Sequence, residues 1–387
     1  MSFRVLCISS LNFKLNGASQ RRQRLLIQGL AAKNSVEVIN PQWAWGHDDK
    51  FDVRNFPRLS RKLPWRLATL IWLLPSILLR ARKADVIVCF DRHFLSMMAS
   101  TIAKRVYRAK LIHDMVEHPE VVAGSGLRGK FGLNYMYSRF LPSLDGATII
   151  SSALEALLRE VNSRAKILRV PAIAEIPSEN VGESHASDGV TQFLYAGSLI
   201  EEKDGVHSLI KAFSQALTVR TDIRLSILGY GSSRQKEAVR QLVTELAVSE
   251  FVELKGEVSQ ALLPRLLSAA DVLVLCRPQS LQAAYGFPTK LAEYLSIAKP
   301  VIVTKTSDIG DYLVDGRSAY LVEPDDIAAF GAAMLKASAE PVVRKEIGMI
   351  GLDVARKYFN AKVSGKMFSD WLDDLAVEND RQQSRNN

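Results

Sequence analysis

Short apolar, β-branched runs alternate with segments of helical spacing along most of the chain. In the first half, "RVLCISS", "SVEVIN", "ADVIVCF", "AKLIHDM", "GATIISS" and "AKILRV" read as strands. Helical segments are predicted between them, near 18–32, 64–82, 94–107, 127–143 and 152–162. That alternation implies right-handed βαβ units on a parallel sheet. Residues 172–190, "AIAEIPSENVGESHASDGV", break the rhythm: they are polar, hold Pro177, Gly182 and Gly189, and lack apolar periodicity, as a linker does. The pattern then restarts. "TQFLYAGSL" precedes a helix with Val206, Leu209, Ile210, Phe213 and Leu217 on one face, and "IRLSILGYG", "FVELKGEV", "DVLVLCR", "PVIVTK" and "AYLVEP" continue as strands.

The expected fold class is therefore α/β, with two doubly wound parallel-sheet halves in tandem. The boundaries expected are 1–175 for the first domain, 176–190 for the linker, 191–358 for the second domain and 359–387 for a C-terminal helix and tail. The last helical segments, about 340–375, are expected to return over the first half, and "ENDRQQSRNN" reads as disordered. Such sheets bind ligands beyond the carboxyl ends of their strands, and two halves facing each other would enclose a cleft.

Hydrophobic residues at 48% and charged residues at 24% are a globular balance. Fifty Lys and Arg against 41 Asp and Glu give a net charge of +9, which suits anionic partners such as nucleotides, phospholipids or a polyanion. There is no dense basic tail or zinc spacing to call for nucleic acid. Cys7, Cys89 and Cys276 each sit in an apolar run, with no metal or disulfide spacing, and read as buried thiols of a reducing cytosol. The N-terminal "FRVLCISS" is a strand candidate rather than a secretory segment, so a cytoplasmic location is expected. "LATLIWLLPSILL", Leu67 to Leu79, is too short to span a membrane and contains Pro75. Arg61, Lys62, Arg66, Arg80, Arg82 and Lys83 flank it, leaving two readings: a buried helix between strands, or a helix resting on an anionic membrane surface at the inner face.

The second half concentrates unusual polar residues at strand ends. Gly197 and Ser198 end one strand, with Lys203 in the loop beyond; Gly229 and Gly231 end the next; Gly256, Arg277 and "YGFPTKLAEY" follow others. In a parallel sheet these ends share one rim. A diphosphate site accounts for the set. Backbone N–H groups of Thr289 and Lys290 at a helix start can point at an anion, Pro288 suits the first helical position, and Lys203 and Arg277 supply charge. Glu293, a carboxylate close to that anion, reads as an acceptor of hydrogen bonds from a ribose diol.

"YAGSLIEEKDGVHSLIKAF" and "GFPTKLAEYLSIAKPVIVTKTSDIGDYLVDGRSAYLVEPDD" resemble the donor-binding half of glycosyltransferase family 4, closely over about 190–330 and loosely in the first half. The resemblance implies a retaining enzyme of the GT-B fold, two Rossmann-like domains, that takes a nucleotide sugar as substrate and needs no cofactor. It implies donor contacts by Lys203 (diphosphate), Glu293 (ribose) and backbone near Val258 (base), with Gly197, Ser198, Gly229, Arg277, Tyr285, Phe287, Pro288, Thr289 and Lys290 around them. The "FPTKL-EY" version resembles a subgroup in which Thr289 and Lys290 face the donor phosphates. Two departures stand out. Ser198 replaces the family's arginine, a loss that Arg277 is placed to make good, and Tyr285 replaces the first glutamate of the Glu–seven residues–Glu pair, the one that touches the sugar.

In the first half, Gly17 in "SSLNFKLNGASQRR" resembles the family's glycine loop, and Asp114 and Glu117 match its acidic pattern on the acceptor side. Val116 stands where the family often has histidine, and His118 is placed to serve instead; Arg92 and His93 are weaker candidates. No Asp-x-Asp metal motif occurs. No metal site is expected, so charge on the leaving diphosphate falls to Lys203, Arg277, Lys290 and helix dipoles, with Lys203, Arg277 and His118 as the catalytic set. The acceptor expected is a glycan or lipid-linked hydroxyl. Alternatives are a nucleotide-sugar epimerase on the same fold, a sugar-binding protein and an inactive nucleotide-binding relative.

Overall fold

The computed structural model describes residues 2–9, 17–40, 52–55, 73–123, 126–177, 189–259 and 261–383. It divides into two compact units: Met1–Pro171 together with Ala361–Asn387, and Ala172–Asn360.

The first unit is built on seven parallel strands: β1 (Arg4–Ile8), β2 (Ser35–Asn40), β3 (Asp52–Asn55), β4 (Val86–Cys89), β5 (Lys110–Met115), β6 (Gly146–Ile149) and β7 (Lys166–Arg169), in the order β3-β2-β1-β4-β5-β6-β7. The central strands are apolar runs buried on both faces, as helices on both sides of a parallel sheet require. Cys7 of β1 lies between Val38 and Val88, and all three are fully buried. Edge strand β3, "DVRN", was not expected, because one apolar residue in four gives no strand signal.

Helices 18–31, 94–107, 127–135 and 152–161 fall where the apolar spacing put them. Part of the expected 64–82 helix is seen at 73–81, while 64–72 lie outside the described residues. Leu73 and Ile77 are buried there, and Leu79 is exposed. The final helix, Ala361–Gln383, continues through residues read as a disordered tail; only 384–387 of that tail lie outside the described residues. It packs on helix 18–31 where two glycines meet: a Cβ on Gly29 would stand 2.3 Å from the Gly365 Cα. Lys33 pairs with Asp370, and Asn34 Nδ2 donates to Ser369 Oγ at 3.2 Å. The fully buried Phe368 lies in the same helix.

The second unit has six parallel strands: β8 (Thr191–Ser198), β9 (Ile223–Tyr230), β10 (Val252–Leu254), β11 (Val272–Leu275), β12 (Val301–Thr304) and β13 (Tyr320–Val322). Their order is β10-β9-β8-β11-β12-β13. The chain builds outwards from β8 to β10, then returns to the other side of β8 with β11. The order thus reverses between β8 and β11, and the crevice beyond their carboxyl ends is where a doubly wound sheet takes a ligand. Helix 206–217 buries Val206, Leu209, Ile210 and Phe213, as its spacing predicted, and leaves Leu217 half-buried. Residues 172–174 belong to this unit because Ala174 N donates to Phe359 O at 2.8 Å, closing the first residues on the last. Most of the linker expected at 176–190 lies outside the described residues.

Candidate functional site

At the β8–β11 reversal the sequence brings three cations together, Lys203, Arg277 and Lys290, with Asp204 paired to the last. The loop after β8 forms one helical turn, Glu201–Asp204. Gly205 follows with φ +65°, a conformation open to glycine. It is also a close approach: a Cβ on Gly205 would lie 1.7 Å from the Cys276 carbonyl oxygen. The turn is thereby pressed against the end of β11. Arg277 Nε donates to Lys203 O at 3.2 Å across the same seam, and Thr304 Oγ1 donates to Arg277 O at 2.8 Å from β12. Glu201 fixes the far side of the loop. Its carboxylate accepts from His207 N at 2.6 Å, Ser208 N at 3.2 Å and Ser208 Oγ at 2.7 Å, satisfying the first amides of helix 206–217.

Helix 289–295 is tied to β8 from the other direction. Tyr294 Oη accepts from Ala196 N at 2.8 Å and donates to Ala196 O at 3.2 Å. Lys290, one turn earlier, reaches over Gly197. Its Nζ lies 2.7 Å from Asp204 Oδ2 and donates to Tyr195 Oη at 3.1 Å. Gly197 is needed for that reach, since a Cβ there would stand 2.1 Å from Lys290 Nζ. Tyr195 Oη in turn donates to Ser198 O at 2.6 Å. Burial lowers the Lys290 ammonium to about 8; Asp204 opposes the fall, and Lys203 and Arg277 add to it. The Tyr195 phenol is held well above its ordinary range, first by burial and then by Asp204, so it stays protonated. Burial likewise pushes the Cys276 thiol up to about 12, which leaves it inert.

Lys203, Arg277, Gly197, Ser198 and Lys290 are thus brought together. Gly229 ends β9 beside β8, in register with Gly197. Gly231 lies just beyond β9, and Gly256 just beyond β10 with φ +69°. Val258, Thr289, Tyr285 and Glu293 are half-buried on the segments that follow β10 and β11.

Two expectations need correction. Pro288 is the N-cap of helix 289–295 rather than its first residue, with ψ 113° and its carbonyl accepting from Leu291 N at 3.1 Å. Phe287 is buried among aromatic rings, edge-on to Tyr312 at 5.7 Å and tilted on Phe359 at 5.6 Å, so it anchors the loop from the core side instead of facing a donor.

In the first unit, Gly17 is the N-cap of helix 18–31 at φ −66°, a value open to any residue; the loop before it, 10–16, lies outside the described residues. Asp114 is also corrected. Its Oδ1 and Oδ2 accept from Arg22 Nη2 at 2.9 Å and Nε at 3.1 Å, and Thr148 Oγ1 donates to Oδ1 at 2.7 Å. Arg22 donates further to Pro171 O at 2.7 Å and Val170 O at 3.0 Å. With both side chains buried, this carboxylate holds the sheet end together rather than facing an acceptor. Glu117 pairs with Arg92 at 2.6 Å. His118 caps the turn at 119–122, its Nδ1 accepting from Glu120 N at 3.3 Å, which places the proton on Nε2. His93 is exposed at the start of helix 94–107. His113, unremarked in the sequence, donates from Nδ1 to Cys89 O at 2.6 Å, and burial lowers its pKa. Among the described residues no cluster of His, Cys, Asp and Glu has the makings of a metal site, and no helix is long and apolar enough to cross a membrane.

Sequence reasoning passed over Asp204, Tyr195 and Glu201. The signal for Asp204 was its place directly after Lys203 and before a glycine; its partner, Lys290, is far along the chain.

The family described as "Glycosyl transferases group 1" matches residues 191–340, which hold this whole cluster. The lipopolysaccharide 1,2-N-acetylglucosaminetransferase of Salmonella typhimurium is 27% identical over 207 residues, 49% of this chain and 53% of that protein. The curated relatives matched are covered over about a third to a half of their own length, 34% to 53%. Sucrose-phosphate synthase from Thermosynechococcus elongatus superposes with a TM-score of 0.75 at 17% identity, over 97% of this chain and 99% of that one. Anabaena Alr3699/HepE in complex with UDP-glucose gives 0.72 at 14% identity, over 96% and 100%. The epimerase, binding-protein and inactive-relative alternatives gain no support from these comparisons. Residues 191–340 match the glycosyl transferases group 1 family, and the chain has the GT-B fold.

Proposed function

We propose that the protein is a retaining, metal-independent hexosyltransferase of glycosyltransferase family 4. It moves a sugar from a nucleoside-diphosphate donor to a hydroxyl of a polysaccharide or glycolipid acceptor. One observation carries this reading: Lys203, Arg277 and Lys290 converge at the β8–β11 reversal, inside the segment matched by the glycosyl transferases group 1 family. These cations suit a diphosphate: Asp204 is paired with Lys290, and the Glu201 carboxylate is taken up by the first amides of helix 206–217. The likeness to a UDP-glucose complex and to an N-acetylglucosaminetransferase supports a nucleotide sugar as the ligand.

In this proposal Lys203 and Arg277 take the diphosphate, with the start of helix 289–295 adding backbone N–H groups. Glu293 takes the ribose diol, and backbone around Val258 takes the base. Lys203, Arg277 and Lys290 neutralise the leaving diphosphate, so that no divalent ion is required. The acceptor hydroxyl attacks on the face from which the diphosphate departs and passes its proton to a phosphate oxygen, a step that depends on positioning more than on a strong protein base. Tyr285 meets the sugar in place of a glutamate. Glu117 and His118 lie on the acceptor side. The "FPTKL-EY" segment marks the subgroup. The reaction is assigned to the cytoplasm at the inner membrane face, with exposed Leu79, just ahead of Arg80, Arg82 and Lys83, as a peripheral contact with anionic lipid.

The test is to incubate the protein with UDP-, GDP- and ADP-hexoses and lipid-linked glycan acceptors, with and without EDTA, and to read the anomeric configuration of the product by NMR. A product that retains the donor configuration and forms in EDTA supports the proposal. Free sugar formed without any acceptor, or no turnover of any donor, counts against it.

A further inference from the structure

Lys290 reaches over Gly197 from the start of helix 289–295. Its ammonium has two partners, Asp204 at 2.7 Å and Tyr195 at 3.1 Å, and stands 5.0 Å from the centre of the Tyr195 ring. The Asp204 side chain is 5% exposed and the Lys290 side chain 18%. Asp204 ends the single turn 201–204 and directly precedes Gly205, the N-cap of helix 206–217, whose dipole favours a negative charge there. It is held between the Glu201 cap on one side and the Gly205–Cys276 approach on the other. The side chain is therefore fixed to face Lys290.

Building on the donor-site reading above, we propose that Asp204 is a positioning residue: it keeps the Lys290 ammonium charged and parked over Gly197, and yields it to the diphosphate of the incoming nucleotide. Every charged or titratable neighbour bears on this. Lys203, on the same turn as Asp204, and Arg277 after β11 both disfavour the ammonium; Asp204 favours it. Tyr195 on β8 accepts its hydrogen bond, Tyr230 at the end of β9 and Tyr294 on the Lys290 helix remain phenols, and Glu293 lies on that same helix. Without Asp204 the cation would face burial and two like charges with only Tyr195 to receive it. A proton would then leave at lower pH.

The exchange also explains Gly197 in physical terms. A side chain there would occupy the space over which the ammonium moves. A phosphate oxygen would replace Asp204 as the partner without a rearrangement of the sheet, because the lysine stem is flexible and the loop is not.

The test has two readouts. The first needs no ligand: the titration of Lys290, followed by NMR of ¹³C-labelled lysine and assigned with Lys290→Arg. It is expected to centre near 8 in the wild type, and about one unit or more lower in Asp204→Asn. The second is calorimetry with UDP, GDP and ADP from about pH 6 to pH 9. Wild-type affinity is expected to fall as pH rises through about 8, Lys290→Arg to flatten that fall, and Asp204→Asn to fall at lower pH, so that its affinity relative to wild type drops about tenfold or more between pH 6 and pH 8. If Asp204→Asn unfolds, the Lys290→Arg comparison decides alone. An equal Lys290 midpoint in wild type and Asp204→Asn overturns the proposal. So does an Asp204→Asn loss equal at both pH values, the mark of a purely structural role. Absence of binding by all three diphosphates to folded wild type overturns the donor-site reading and the exchange together. Binding with a flat pH profile overturns the exchange alone.

Discussion

Gly205 is the position where one added methyl group should disturb both the fold of the second unit and its site. Its φ of +65° disfavours any residue with a Cβ by about 1–2 kcal/mol. Its Cβ would also lie 1.7 Å from Cys276 O and 3.3 Å from Pro278 Cδ. The first of these is backbone and has no rotamer to escape into, so overpacking adds about 1–3 kcal/mol. Reduced freedom of the unfolded chain returns about 0.4–1 kcal/mol, which leaves a net loss of roughly 1–4 kcal/mol for Gly205→Ala. At a urea dependence of about 1–3 kcal/mol per molar, the midpoint of the second unit should fall by on the order of 1 M. The same shift moves Lys203 O away from Arg277 and Asp204 away from Lys290, so affinity for whichever of UDP, GDP and ADP the wild type binds should fall about tenfold or more by calorimetry, about 1.4 kcal/mol. Gly316→Ala is the matched control: φ is +66° there too, but the nearest atom is Lys336 Nζ at 3.9 Å, so only the conformational term applies. A Gly205→Ala protein with the midpoint of Gly316→Ala and with wild-type nucleoside diphosphate affinity would refute the claim that the 203–205 turn is seated on the end of β11.

Other expectations follow from the same geometry. Arg22→Met leaves Asp114 buried without its cation and should lower stability by about 3–5 kcal/mol, read from urea unfolding; a loss under about 1 kcal/mol would contradict the pairing. Gly29→Val drives a side chain into the Gly365 backbone and should loosen the final helix, seen as faster proteolysis after residue 360; unchanged digestion would tell against close helix packing. Lys203→Ala and Glu293→Ala should each weaken donor use while circular dichroism stays that of wild type. Wild-type transfer rates in both would remove them from the site.

Much of this architecture was legible in the chain because burial on both faces of a parallel sheet leaves uninterrupted apolar runs. "VLVL" at 272–275 and "VIVT" at 301–304 could hardly be anything else. β3 was not legible, since its place at the edge relaxes that demand. The rim of polar strand ends could also be read, because parallel strands share an edge and Gly, Lys and Arg are unusual there. What could not be read was how those side chains pair. Lys290 looked like a phosphate ligand, but its resting partner is Asp204, reached only once β8 and helix 289–295 are side by side. Asp114 looked like a site acid for the same reason that it is a good buried anchor: a carboxylate at a strand end needs a cation, and Arg22 supplies it from a helix far back in the chain. Phe287, beside the conspicuous Pro288, shares its loop but turns to the aromatic core.

The most direct check on the central claim is thermal unfolding of the protein with UDP, GDP and ADP, each in magnesium and in EDTA. The donor-site account predicts that one of them stabilises the fold by about 2.7 kcal/mol at a hundredfold excess over its Kd, equally in EDTA. No stabilisation by any of the three in a folded sample, or stabilisation only with magnesium, would contradict it.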